Sequence, residues 1–314
     1  MHELAIEARG LTKRFGKAVA LDGLDLAVET GESVALLGAH GAGKTVALRL
    51  FAGLARPTRG RLTVAGVDPG SRAGLAARRR LGMLGQEPAF YEWMTGRELL
   101  AFAADLLGIE RRAAPDRIVA TLERVGLGAD GDRDIGDYSM PLRRRLGVGQ
   151  ALIGDPEVLL LDEPLASLDA TGASDVLGII GGLRGSTSIV IATADVALAE
   201  TASDRIALLD AGRVLATAPT DELLARLGPR DYVIELAPGS GLALAGLLAR
   251  LSSEPWVRAV DSSEGALRVA VRDERRADHE LLPSVVATGL TVLGLRRERP
   301  DVDVLLERLR GEAA

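Results

Sequence analysis

The chain has no cysteine in its 314 residues, so no disulfide can staple it. Long hydrophobic runs are missing too. Stretches such as 241–249 and 189–194 fall well short of the roughly 18 apolar residues that a membrane span requires, so no span is expected. The opening residues, Met1-His2-Glu3-Leu4-Ala5-Ile6-Glu7, have neither the basic start nor the apolar stretch of a signal peptide, and the expected location is cytoplasmic. Positive charge is not in excess. The formal net charge of -6 speaks against a broad surface for a phosphate backbone, so nucleic acid is not expected as a partner. Histidine is confined to positions 2, 40 and 279.

Apolar residues, by contrast, make up 47% of the chain, enough for sizeable cores, and the length exceeds that of most single domains. Two domains are expected, over 1–228 and 229–314, with the boundary at Gly228-Pro229.

The most informative segment is Gly38-Ala39-His40-Gly41-Ala42-Gly43-Lys44-Thr45. The β-rich run Ser33-Val34-Ala35-Leu36-Leu37 precedes it, and Val46-Ala47-Leu48-Arg49-Leu50-Phe51-Ala52 after it has helical character. Glycines at 38, 41 and 43 permit torsions and close approaches that a Cβ would block, so successive N–H groups, with the helix N-terminus, can point at phosphate oxygens. Lys44 supplies a point charge for β and γ phosphates, and the Thr45 hydroxyl is placed to ligate Mg²⁺. The segment predicts nucleotide binding, of ATP or GTP.

Around this loop the pattern implies strands at 4–6, 24–29, 61–65 and 81–84, then helical spacing from about 95 to 153. Strands return at 158–161, 188–192 and 205–209, separated by helical stretches, as in a parallel sheet. A turn at 210–213 leads to a strand at 214–216, and a helix over 221–227 closes the first domain. The remainder predicts a small α+β domain with strands at 232–236, 257–260, 267–271 and 291–295 and helices at 242–251 and 278–287. His279 stands there without a catalytic neighbour and reads as a solvated or capping residue. Arg78-Arg79-Arg80 and Arg143-Arg144-Arg145 read as solvated helix faces.

A second motif, Leu159-Leu160-Leu161-Asp162-Glu163-Pro164, is an apolar strand ending in two carboxylates. Asp162 is positioned to hold Mg²⁺ through water opposite Thr45, and Glu163 to face the γ-phosphate and polarise the attacking water. With both motifs in this order, the chain resembles the ATP-binding-cassette ATPases over residues 1 to about 226. The resemblance implies an α/β fold: a P-loop NTPase core with an antiparallel β subdomain and a helical insertion at about 87–154, followed by the small C-terminal domain. It implies ATP and Mg²⁺ as ligands. Phe15 matches the aromatic that stacks on adenine, Gln86 the glutamine that touches Mg²⁺, and Asp169 the aspartate loop at the dimer interface. Residues 91–100 lie where the family receives a helix of its membrane subunit; an exposed groove and core packing both stay open for Tyr91, Trp93 and Met94.

Two landmarks of that family are altered. The signature, Leu-Ser-Gly-Gly-Gln or Tyr-Ser-x-Gly-Met, stands here as Tyr138-Ser139-Met140-Pro141-Leu142. Ser139 is expected to cap the helix, while Pro141 has no N–H for a phosphate. Where the family has Thr-His-Asp, the chain has Thr193-Ala194-Asp195, so the histidine that orients the attacking water is missing. The resemblance therefore implies an ATPase of reduced activity, and His40, within the loop, approaches from the wrong direction to replace the lost residue. Within the family, the Tyr-Ser position, the 145–152 phrase and the ending 299–309, a loosened form of Pro-Ser-Leu-Glu-Asp-Val-Phe, resemble ATPases of ABC-2-type exporters, the drug-resistance, sodium-efflux and gliding-motility group. That implies a separate permease as partner, a homodimer or a heterodimer of ATPase subunits, and a place on the cytoplasmic face of the membrane. A nucleotide-gated regulatory or scaffold subunit, and a soluble cassette acting on ribosomes or DNA, are the alternatives, the last ranked lowest.

Overall fold

The computed structural model describes residues 3–227, 231–237, 241–263, 265–298 and 301–312. Gly228, Pro229, Arg299 and Pro300, which bear on the expected boundary and on the ending motif, lie outside them. Two compact units divide between Thr220 and Asp221.

In chain order the first unit has β1 (Leu4–Phe15), β2 (Ala18–Glu29), β3 (Ser33–Leu37), α1 (Lys44–Phe51), β4 (Arg59–Val64), α2 (Gly74–Arg79) and β5 (Leu81–Leu84). Three helices follow, α3 (Gly96–Leu107), α4 (Ala114–Arg124) and α5 (Met140–Leu152). The unit continues with β6 (Val158–Asp162), α6 (Ala170–Gly181), β7 (Ser188–Thr193), α7 (Val196–Ala202), β8 (Arg205–Asp210) and β9 (Arg213–Pro219).

Two sheets form. β2, β1 and β4 pair antiparallel, in that order, and the expected strands at 4–6 and 24–29 are parts of this longer hairpin. The larger sheet runs β5-β6-β7-β3-β8-β9, parallel except for the last pair. β3, β6 and β7 are buried at every position, the consequence of continuous apolar runs covered on both faces. β9 alternates exposed and half-buried residues, as an edge strand does. Their order brings the carboxyl ends of β3, β6 and β7 together, where open α/β sheets place their ligands.

α3 opens with a reciprocal cap between Thr95 and Glu98 and closes at Gly108, whose φ is 75°. Leu99, Leu100, Ile118, Leu122, Leu146 and Val148 bury the facing sides of α3, α4 and α5 in one core. Ser139 does occupy the position before α5, with φ -65° and ψ 164°, yet its side chain makes no capping bond. The expected cap is therefore absent, and α5 is started instead by Pro141 in its first turn, where a missing N–H costs nothing.

The second unit takes up α8 (Thr220–Leu227) after its first residue, then β10 (Asp231–Leu236), α9 (Gly241–Ser252), β11 (Val257–Ser263), β12 (Ala266–Val271), α10 (Glu274–Val286), β13 (Val292–Glu298) and α11 (Val302–Glu312). The division falls eight residues before the boundary expected from sequence. Leu223, Leu224 and Leu227 of α8 are buried, and the Leu227 carbonyl accepts from Arg308 of α11. The sheet order β11-β12-β10-β13, antiparallel throughout, is a split β-α-β arrangement. Its core gathers Tyr232, Ile234, Leu267, Val269, Leu281 and Trp256. His279 is exposed, and no cluster able to hold a metal exists among the described residues. Among the described residues no helix is long and apolar enough to cross a membrane.

Candidate functional site

β3 ends at Leu37, in register with Thr193 of β7, and the chain then turns through residues 38–45 into α1. The loop is pinned at both ends. The Gly38 N–H donates to the Thr193 carbonyl at 3.1 Å, and the Ala42 carbonyl accepts from the Gly212 N–H at 2.9 Å. Close approach demands glycine at two positions: a Cβ at 38 would stand 2.3 Å from the carbonyl oxygen of Leu209, and one at 43, where φ is 107°, would stand 2.5 Å from that of Ala20. The loop delivers the chain to α1, whose N-terminus has no side-chain cap, so its first N–H groups have no capping oxygen.

Lys44 begins α1 and is buried. Its ammonium donates to the carbonyls of Gly38 at 2.6 Å and Ala39 at 3.1 Å, and lies 3.5 Å from Glu163 Oε1. Asp162 closes β6 at 1% exposure, with Oδ1 lacking a hydrogen-bond partner. Burial pushes its carboxyl above the usual carboxylate range, and a hydrogen bond from Thr45 works against that shift. A buried carboxylate oxygen without a partner, next to a threonine hydroxyl, is a hard-oxygen donor set and fits Mg²⁺.

Glu163 follows with φ 45°, in the left-handed region that a side chain rarely adopts. Its carboxylate is held on both oxygens. Oε2 accepts from the Thr193 hydroxyl at 3.0 Å and Oε1 from the Ala194 N–H at 3.1 Å, while Thr193 Oγ1 itself accepts from the Asp195 N–H at 3.0 Å. The pairing of Asp162 with Ala192 explains this geometry, because it sets the next residue of each parallel strand side by side. His40, Gly41, Ala42, Gly43, Lys44, Thr45, Val46, Gln86 and Glu163 line one cleft of about 200 Å³, together with Ala20.

Other expected residues lie apart from that cleft. Phe15 is 56% exposed, outside the lining, with Lys13 Nζ 4.9 Å from its ring centroid. Ser139 is exposed and does not line the cleft. Asp169 caps α6 by accepting from the Gly172 N–H at 2.8 Å. Tyr91 and Trp93 are exposed, with ring centroids 5.8 Å apart, whereas Met94 packs on the helical core, so the open question about this segment divides between its residues.

The reading of Arg143-Arg144-Arg145 as a solvated face is corrected. Successive helical residues point about 100° apart, so the three reach different neighbours. Arg143 pairs with Glu92 at 3.0 Å, and Arg145 lies 3.6 Å from Asp175. Arg144, at 3% exposure, bonds three backbone carbonyls. In the other triplet Arg80 pairs with Glu157, and Arg78 donates to the Pro69 carbonyl at 3.0 Å. Sequence reasoning also missed the part of Thr193 and of the Ala194 N–H in holding Glu163. The signal was available in the adjacency of two parallel strands whose ends carry a threonine and a glutamate.

A family model described as ABC transporter matches residues 21–166. The daunorubicin resistance ATP-binding protein DrrA3 of Streptomyces coeruleorubidus is 35% identical over 313 residues, 99% of this chain and 98% of that protein. The linearmycin resistance ATP-binding protein LnrL of Bacillus subtilis is 31% identical over 312 residues, 98% of each. Among solved structures, cbiO1 of Clostridium perfringens, described as part of the ABC transporter complex cbiONQ, superposes with TM-score 0.65 at 26% identity, over 71% of this chain and 91% of that one. The α/β core is that of these ATP-binding domains.

Proposed function

This chain belongs to the ABC transporter ATP-binding proteins, and from that premise we propose that it is the ATP-binding subunit of an ABC-2-type exporter, hydrolysing ATP slowly. One observation carries the chemistry: Glu163, fixed by Thr193 and Ala194 at the mouth of the phosphate loop, stands 3.5 Å from Lys44.

In this reading the loop N–H groups and Lys44 bind the β and γ phosphates, with Lys44 exchanging its loop carbonyls for phosphate oxygens. Thr45, Asp162 and Gln86 would hold Mg²⁺, which would neutralise phosphate charge when bound. Glu163 orients a water on the γ-phosphorus. The water oxygen forms the new P–O bond, the bond from the γ-phosphorus to the bridging oxygen breaks, that oxygen departs with the electron pair as part of ADP, and the carboxylate takes the water's proton. Phe15, though outside the cleft lining, offers an exposed ring on which adenine would stack.

The slow rate follows from Ala194 and Pro141. At 194 there is only a backbone N–H, already bonded to Glu163, so no side chain there contacts both water and γ-phosphate. At 141 there is no N–H to offer a partner subunit's nucleotide. In a head-to-tail dimer, which we propose for this chain with itself or a related subunit, a homodimer carries both changes at each site and a heterodimer with an intact partner carries one at each. Ser139 would face the partner's nucleotide. The exposed Tyr91 and Trp93 are the proposed seat of the permease, through which the chain would sit at the cytoplasmic face of the membrane.

The test is phosphate release by the purified chain, alone and with its membrane subunit, against Glu163→Gln. Release by Glu163→Gln at the wild-type rate would remove Glu163 as base. A wild-type rate equal to that of a relative with histidine and glycine at these positions would remove the slow reading.

A further inference from the structure

Arg144 is a charged side chain in a place that packing alone would give to leucine. At 3% exposure its guanidinium is withdrawn from water, and the nearby Asp162 favours its charge without coming close enough, among the described residues, to form an ion pair. Burying such a group is costly unless its N–H groups find acceptors. Here the acceptors are all backbone. One nitrogen donates to the carbonyl of Gln86 at 3.0 Å and more weakly to that of Gly85 at 3.4 Å, and the other donates to Ala166 at 3.2 Å.

Those carbonyls belong to two different loops. Gly85 and Gln86 leave β5 and lead to Tyr91 and Trp93, the exposed aromatic pair. Ala166 lies between Glu163 and Asp169, in a segment with two non-glycine residues at positive φ, Glu163 at 45° and Ser167 at 62°. Such conformations persist only where neighbouring groups over-determine them. The Ala166 N–H is itself bonded to the Glu163 carbonyl at 3.1 Å, so a hold on Ala166 is a hold on the turn that aims Glu163.

We propose that Arg144 is a positioning residue for ATP hydrolysis, its planar fork joining the loop that ends in Tyr91 and Trp93 to the loop that carries Glu163, so that the two move as one piece with α5. The inference rests on the ATPase reading above. Its chemistry needs arginine: a lysine ammonium is a single point of charge and lacks the rigid fork that addresses two directions at once. A glutamine has one donor group and a shorter reach.

The full chain is compared with R144K and R144Q. In R144Q the expected result is a kcat reduced roughly tenfold, the scale of loss from a modest misplacement of a reacting group. KM for ATP, and the affinity for a fluorescent ATP analogue, stay within about twofold because no loop donor or Lys44 contact is removed. R144K keeps the buried charge, falls between the two, and carries the test should R144Q fail to fold. Acrylamide quenching gives the second readout, since Trp93 is 73% exposed and Trp256 only 2%. Mg·ATP is expected to change the quenching of Trp93 in the wild type and to leave it unchanged in R144Q. A kcat in both variants equal to wild type, or an ATP response of Trp93 undiminished in R144Q or absent from the wild type, overturns the proposal. A wild-type chain that binds no ATP overturns the functional reading as well, whereas active wild type matched by its variants overturns only this one.

Discussion

The ring of Pro141 lies against the Cα of Gly172, so closely that a methyl group at 172 would meet the proline Cβ and Cγ at 3.1 Å. The same methyl would come 3.1 Å from Asp169 Oδ1, the atom that caps α6. Pro141 is thus more than a donor lost from the signature, because the first turn of α6 is shaped to receive it. In most helices glycine to alanine is stabilising by about 0.5–1 kcal/mol. Here Gly172→Ala is expected to destabilise the fold by about 1–3 kcal/mol, the range for overpacking. In a Pro141→Gly background the penalty should shrink, and a double-mutant cycle in urea measures the difference. Additive effects would show that the two residues do not press on one another.

A histidine at 194 tests the slow-turnover reading from the other side. Ala194 follows Thr193, at the end of β7, and its N–H is bonded to Glu163, so the backbone is already in place for a longer side chain. Ala194→His is expected to raise kcat by about tenfold or more, toward the range supplied by a placed proton-transfer group, with little change in KM. Phosphate release at saturating Mg·ATP reads this directly.

Asp162 should govern metal dependence. In the wild type Mg·ATP is expected to raise the unfolding temperature, since a ligand bound only by the native state stabilises it by mass action. Chelation with EDTA should remove most of that rise. Asp162→Asn leaves Thr45 in place and is expected to lose the Mg²⁺-dependent part, so its melting curves with and without EDTA should coincide.

The second unit offers a pH test. Tyr232 is buried, its hydroxyl donates to Asp278, and Arg297 lies 5.4 Å from the ring. Burial first, and the bond to Asp278 second, push the phenol well above its ordinary value. In the folded state the proton is therefore held more tightly than in the unfolded chain. The contribution is intact below the unfolded value of about 10 and is lost as pH rises through the alkaline range. Tyr232→Phe should cost about 1 kcal/mol at neutral pH and show a smaller loss of stability above pH 10, followed by urea unfolding.

Much of this molecule was legible in the sequence. The strand Ser33-Val34-Ala35-Leu36-Leu37, the helical spacing from Leu99 to Leu152 and the trailing strands all recur where expected, because apolar periodicity and turn chemistry act locally. The phosphate loop and the pair Asp162-Glu163 were likewise recognisable, since their chemistry depends on contiguous residues. What sequence did not reveal depends on neighbours far apart in the chain. Thr193 reaches Glu163 only through the register of two parallel strands. Arg144 looked like one of three surface charges because a triplet carries no sign of which member points inward. Ser139 has the chemistry of a cap, but its hydroxyl makes no bond to the helix N–H groups.

The φ of 45° at Glu163 sets heat resistance and activity against each other. A side chain in that conformation is strained by about 1–2 kcal/mol, which glycine would not be. Glu163→Gly would relieve that strain but forfeit the contacts with Thr193, Ala194 and Lys44, so a screen that rewards survival at high temperature alone returns it only where the relief outweighs the loss, and such a chain will have discarded the proposed base. A hunt for hardier variants should therefore score phosphate release alongside melting, or it can retain motors that no longer run.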